Sequence, residues 1–363
     1  MRTSRLPLPA ILAAAFVVAT PVRAQTPAPA PAPAAPVADK PLPYVAVVPF
    51  APAAGIKPAA AHQGTLQAVL LEQAALSSPA VNVVTQGAQA EMLEDLGVKP
   101  GTPLDENTAK KLAQLSGATH VLFGSFEAGE GGALTYKVRQ FGVLAGAAKD
   151  LVTVTGQPAD VAARLAEALG RELSVPGLAA PAVPAGDKAQ KGYAACVTFT
   201  AVALERAAVK GRKVTPPKTA MASCKDAGTD KAHPLSQGVL LAARLLTGDA
   251  KAAADLQKHV DANPADRLAG LVLLRRLFED ARYEEAAALL KRVQAARPRD
   301  PDVLRMAGEL EIQKDSWDAA RFAFQQAVNQ APNSPYLRYR LSYASYRTDN
   351  PKDAMEHARQ ALR

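Results

Sequence analysis

Aromatic residues are scarce in this chain, at 5% of 363 positions with a single tryptophan. Alanine takes their place, which favours closely packed helices over a β-sandwich. Cysteine is nearly absent: Cys196 and Cys224 are the only two, and their spacing is nothing like the CxxC of a redox pair. The five histidines, His62, His120, His233, His259 and His357, are scattered and form no HExxH or paired-ligand spacing. There is no GxSxG elbow, no phosphate-binding loop ending in Lys-Ser/Thr and no dinucleotide fingerprint. The acidic residues form no pair placed for acid–base work. These absences argue against an enzyme, and no metal or cofactor is expected. Gly129, Gly131 and Gly132 read as turn chemistry, and His120, inside an apolar run, as a core or edge histidine.

No apolar run reaches the roughly 20 residues of a spanning helix. The longest opens the chain, where Arg2 and Arg5 precede the dozen or so apolar residues from Leu8 to Thr20 and the small or aliphatic Val22 and Ala24 follow. That is the pattern of a cleaved signal peptide over residues 1–24, with no nearby cysteine to accept a lipid. The expectation is a periplasmic product; the rival reading is an uncleaved anchor. A nucleic-acid partner is not expected after export.

Residues 25–43 contain seven prolines in nineteen positions and read as a polyproline II tether. Residues 176–187 repeat that composition as a linker. Between them, residues 44–175 alternate short β-branched runs with helical spacing in the order β-α-β-α-α-β-β-β-α, a mixed sheet covered by helices. Leu66, Val69, Leu70, Leu71 and Ala74 are expected on one side of the first helix, and Asp105 as the cap of the third. The opening VAVVPF, the later LSGATHVLFGSF and this order resemble the N-terminal domain of TolB and the related CsgG and FlgO envelope proteins. The resemblance implies fold and envelope location, and no particular site.

The remainder is helical. Residues 188–232 read as a hairpin broken at Pro216-Pro217, bringing Cys196 and Cys224 onto facing helices, where a disulfide is expected and two buried free thiols are the alternative. From 233 to 363 one frame repeats every 34 residues: Pro264, Pro298 and Pro332; Ala252, Ala286, Ala320 and Ala354; Tyr283, Trp317 and Pro351. This is the tetratricopeptide (TPR) period, with the closing proline, the small residue that lets two helices approach and the residue between them. About four repeats fit. The fold class is thus α/β plus all-α: a TolB-N-like domain followed by a TPR α-solenoid.

Charge divides unevenly. Residues 44–175 carry 9 basic and 12 acidic side chains, residues 188–363 carry 29 and 20, so the second half suits acidic partners or simply stays soluble. Arg206 to Lys225 holds six basic residues and no acidic one. It reads as a solvated loop or, alternatively, a weak contact with anionic lipid headgroups.

The sharpest binding signal is Tyr336, Tyr339, Tyr343 and Tyr346, whose spacing places them within roughly an 80° arc of one helix. Arg347 falls on the same face, and Arg305 and Arg275 hold matching positions in the preceding repeats. The resemblance to TPR proteins makes this the concave face that takes a protein or peptide; the plainer reading is that the tyrosines cover a terminal helix or dock on the first domain. Together these features point to an exported, non-catalytic scaffold in the cell envelope. The alternative is an accessory subunit of an outer-membrane secretion, motility or fibre-export complex acting through the α/β domain.

Overall fold

The computed structural model describes residues 42–210 and 216–362. The expected signal peptide and nearly all of the proline-rich tether lie outside the described residues.

Strand β1 (Tyr44–Val47) alternates its side chains between two cores. Val45 and Val47 enter one, Ala46 and then Val48 the other. Beside β1 lie β3 (Asn82–Val84) and β4 (His120–Ala128), both parallel to it. Antiparallel β5 (Leu134–Gly142) and β6 (Ala147–Gly156) extend the sheet to the order β3-β1-β4-β5-β6, and the two-residue β2 (Ala51–Pro52) pairs with the end of β4. Helices α1 (His62–Ser77) and α4 (Pro158–Leu173) cover one face. On the other lie α2 (Gln86–Asp95) and α3 (Glu106–Ser116), the latter capped by Asp105, which accepts from the Thr108 amide.

One expectation changes. The apolar residues of α1 do not share a side: Leu71 and Ala74 face the sheet, while Leu66, Val69 and Leu70 enter a second cluster with Tyr193, Val197, Val239 and Ala243. A helix apolar nearly all round must be enclosed on two sides. Here the second wall is α5 (Asp187–Lys210), whose first residue falls at the end of the expected linker. Approach is close enough that a Cβ on Gly87 of α2 would meet the Ala201 carbonyl oxygen at 2.4 Å. Residues 176–186 pack too, with Leu178 buried in the sheet core and the His233 ring bonded to the Ala182 carbonyl at 2.7 Å. Helix α6 (Lys218–Ala227) lies against α5, and the Cys196–Cys224 disulfide joins them.

Four helix pairs follow: α7 (Pro234–Leu246) with α8 (Ala252–Ala262), α9 (Arg267–Glu279) with α10 (Tyr283–Ala296), α11 (Pro301–Gln313) with α12 (Trp317–Gln330), and α13 (Pro335–Arg347) with α14 (Pro351–Ala361). In the last three, both first and second helices start 34 residues apart. The local chemistry keeps the same register. Asp266, Asp300 and Ser334 each cap a first helix by accepting a backbone N–H, and Ala281, Asp315 and Asp349 close each pair in the left-handed region. Ala286, Ala320 and Ala354 sit buried where the paired helices meet. These repeating pairs make the C-terminal half a TPR-type helical solenoid.

Candidate functional site

The first helices of the repeats present residues 302, 305 and 309 on α11 and the tyrosines on α13. Much of this face is already occupied by the protein itself. Leu204, near the end of α5, packs against the solenoid core. Tyr44 at the start of β1 lines one cleft of about 60 Å³ with Thr85, Glu205, Asp302, Arg305 and Tyr336, room for a few waters. Asn82 on the edge strand donates to Gln330 Oε1 at 2.9 Å, both residues buried, and Asn333 donates to the Gln114 carbonyl at 2.7 Å.

Ion pairs between neighbouring repeats back this junction from the solenoid side. Arg267 donates to Asp300 at 2.6 Å and Asp302 at 2.5 Å, and Arg297 also reaches Asp300 at 3.1 Å. Burial by itself would raise the Asp300 carboxyl, but the attraction of Arg267, its hydrogen bonds and the Arg297 charge hold it well below the usual carboxylate range. Two other carboxyls lack such partners. Burial pushes Glu72 of α1 up to about 7, against weaker opposition from Gln86 and Arg267. Burial, reinforced by Asp302, also raises Glu205, although Arg305 pulls it back.

The Glu72 shift has a definite sign. A carboxyl whose folded pKa lies above its unfolded value contributes fully only below the unfolded value, so stability falls as pH rises from about 4.5 to about 7 and then levels. A shift of that size corresponds to about 3 kcal/mol. Glu72→Gln is therefore expected to raise the melting temperature at pH 8 by several degrees and leave it nearly unchanged at pH 5. An equal shift at both pH values would refute this assignment.

The tyrosines do not act as a single stripe. Tyr336 is half-buried in the cleft, with the Arg305 guanidinium 5.8 Å from its ring centre, and burial followed by Glu309 pushes its hydroxyl pKa up. Tyr339, Tyr343 and Tyr346 remain open, at 56%, 37% and 68% exposure. Tyr343 meets Trp317 edge-on at 5.5 Å, and Arg347 lies 3.8 Å over the indole while donating to the Tyr343 hydroxyl at 3.4 Å. Arg305 is buried and pairs with Asp302 at 3.5 Å; Arg275 pairs with Glu279 at 2.8 Å; Arg340 pairs with Glu309. The arginines therefore shape the face and are not free clamps.

Sequence reasoning passed over Tyr44 and Glu205, which no periodicity marks, and the pairing of Trp317 with Tyr343. That pairing was readable: neighbouring repeats in one frame bring the end of one first helix beside the preceding turn.

Elsewhere, Arg206 pairs with Glu91 at 3.4 Å and Glu94 at 3.6 Å, so the basic run is engaged with α2 at its first residue, and its 211–215 portion lies outside the described residues. His120 bonds the Thr119 hydroxyl at 2.8 Å. Among the described residues, no cluster of three or more His, Cys, Asp or Glu is placed to hold a metal ion, and no helix is long and apolar enough to cross a membrane. A second concavity of about 330 Å³ lies over Phe123, Ser125, Lys137 and Arg139 of β4 and β5, beside Leu104. Its charges are paired internally, Lys137 with Glu127 and Arg139 with Asp150.

No protein-family model matches the chain, and no curated protein does. Among solved structures, MamA from Desulfovibrio magneticus RS-1 is similar at 22% identity over 49% of this chain and 94% of that one, with a TM-score of 0.36. MamA MSR-1 gives 20% identity over 46% and 94%, with a TM-score of 0.33. A monomeric mutant of IFIT1 with Gppp-AAAA gives 12% over 56% and 55%, with a TM-score of 0.39. These likenesses are distant, and the solenoid assignment rests on the helix pairs themselves.

Proposed function

We propose that this protein is an exported, non-catalytic scaffold of the cell envelope that binds a protein partner through the open end of its first-helix face, at Tyr339, Tyr343 and Tyr346. The observation that carries this reading is selective exposure. The neighbouring part of that face is closed by α5, Tyr44 and the edge of the sheet, whereas three tyrosines on one helix stay in solvent, with Tyr343 steadied by Trp317 and Arg347. Tyrosine gives large contact area at low entropic cost and is enriched at binding hot spots. Export rests on the N-terminal pattern and is supported by the pairing of the only two cysteines, since disulfides persist in oxidising compartments. The α/β domain is read as TolB-N-like on its element order.

The alternative, an accessory subunit docking through the α/β domain, draws on one feature: the β5–β6 turn presents Leu144 at 99% exposure beside Val143.

Crosslinking in native envelopes separates the two. Tyr339→Ala/Tyr346→Ala should remove the captured partner without lowering thermal stability, because both side chains are mostly in solvent. Retention of every partner by this variant would reject the tyrosine face; loss on Leu144→Asp instead would favour the hairpin.

A further inference from the structure

The junction between α5 and the solenoid brings two acidic side chains into one small cleft. Leu204 of α5 packs against the solenoid core, and the next residue, Glu205, lines the cleft of about 60 Å³. Asp302 and Arg305 of α11, Tyr336 of α13 and Tyr44 of β1 line it from the other elements. The guanidiniums that act on Glu205 are committed to the second acid: Arg267 of α9 bonds Asp302 at 2.5 Å, and Arg305 lies 3.5 Å from it. Glu91 of α2 adds another negative charge felt by Glu205. Arg206, the cation that follows Glu205, is drawn to Glu91 and Glu94.

Glu205 and Asp302 thus belong to the two sides of the junction and share one cleft. Ionised together, with room for only a few waters, they repel in a poorly screened space. A proton on Glu205 removes that repulsion, and a carboxylic acid can donate where a carboxylate only accepts. Tyr44 does not share this titration. Burial, then the charges of Asp302 and Glu205, push its hydroxyl far above the neutral range, so it stays protonated.

We infer that Glu205 and Asp302 form a proton-dependent clasp. While Glu205 is protonated, the end of α5 stays on the first-helix face; release of that proton lets it lift away and uncover Asp302, Arg305 and Tyr336. The device does not depend on what the open tyrosines bind. Its opening stays local, because the Cys196–Cys224 bond and the Asn82–Gln330 and Asn333–Gln114 contacts contain no group that titrates near neutral pH.

The direction with pH is fixed. Burial, then Asp302, push Glu205 up to about 7, against the pull of Arg305. A carboxyl raised in the closed form and ordinary in the open one holds the clasp fully in acid and loses hold as pH rises through about 7. Between pH 6 and pH 8 the opening equilibrium should therefore grow roughly three- to tenfold. The upper figure is the full linkage, and the lower one allows for water reaching a half-buried group.

Hydrogen exchange of the intact protein, read by mass spectrometry and corrected for the intrinsic pH dependence of amide exchange, measures this opening. Peptides over residues 200–207 and 301–307 should lose protection by that factor from pH 6 to pH 8, with α8 and α10 unchanged. Glu72 titrates in the same range, so Glu72→Gln should keep the effect. Glu205→Gln is neutral at both pH values and should abolish it, and Glu205→Leu should do the same should glutamine disturb the packing. The inference is overturned if wild-type protection is the same at both pH values, or if the Glu205 variants retain the pH dependence. It is equally overturned if Glu72→Gln removes the effect, or if α8 and α10 lose protection to the same extent, which is global destabilisation and no clasp.

Discussion

Replacing Arg267 by methionine is expected to cost about 3–5 kcal/mol, among the largest losses a single substitution in this protein can produce. Arg267 is 6% exposed and holds two carboxylates, Asp300 at 3% exposure and the half-buried Asp302. Methionine fills much of the volume but leaves both acids without their main partner, and the penalty of an uncompensated buried charge exceeds what the pair contributes when intact. Asp300 also accepts the Asp302 and Val303 amides as the cap of α11, so its displacement frays that helix. Chemical unfolding near neutral pH would read the loss. Arg267→Met/Asp300→Asn should recover a large part of it, since asparagine still caps and carries no charge. The sign with pH follows from the lowered Asp300 pKa: the wild-type contribution is present above the unfolded value and fades as pH falls through it. The difference between wild type and variant should therefore shrink in acid. A loss below about 1 kcal/mol at neutral pH would show that the network is not holding the two repeats together.

Removing the disulfide comes next. Cys196 and Cys224 are 28 residues apart, and closing a loop of that length restricts the unfolded chain by about 3.5 kcal/mol in the loop-entropy account. Cys196→Ala/Cys224→Ala should lower the unfolding midpoint accordingly. The effect should reach the first-helix face of the solenoid, because α5 also supplies Glu205 and Leu204 to that side. Both sulfurs are fully buried, so a mild reductant added to native protein should do little until the fold opens. Coincident denaturation curves for oxidised and fully reduced protein would contradict the entropic contribution assigned to this bond.

The parts of this architecture that repeat were legible in the sequence, and the parts that dock were not. The 34-residue frame is carried by alanines, prolines and aromatics whose roles are local to each helix pair, so spacing alone locates them. Asp105 as a cap, the glycine turn before β5 and the Cys196–Cys224 bond are equally local. Docking writes no period. Leu66, Val69 and Leu70 look like one side of an amphipathic helix until α5 supplies the opposing surface. Tyr336 has the same spacing signature as Tyr339, and only the arrival of Tyr44 and Glu205 distinguishes a half-buried phenol from an open one. The two residues of β2 are too few for any pattern. Arg305 and Arg275 look like free cations because their partners Asp302 and Glu279 lie within a helical turn, a pairing that charge counting does not resolve.

Solenoids ordinarily gain or lose repeats with little consequence, because each unit touches only its neighbours. Here the α/β domain and α5 together bridge several units at once: α5 binds α7, Tyr44 reaches α11 and α13, and Asn82 reaches the end of α12. Duplicating or deleting one helix pair would shift Gln330 and Tyr336 by a whole repeat relative to Asn82 and Tyr44 and break those contacts together. The number of repeats between α7 and α13 is thus fixed by a ruler laid across them, and the first-helix face they present can vary by substitution but not by gain or loss of a repeat between those two helices.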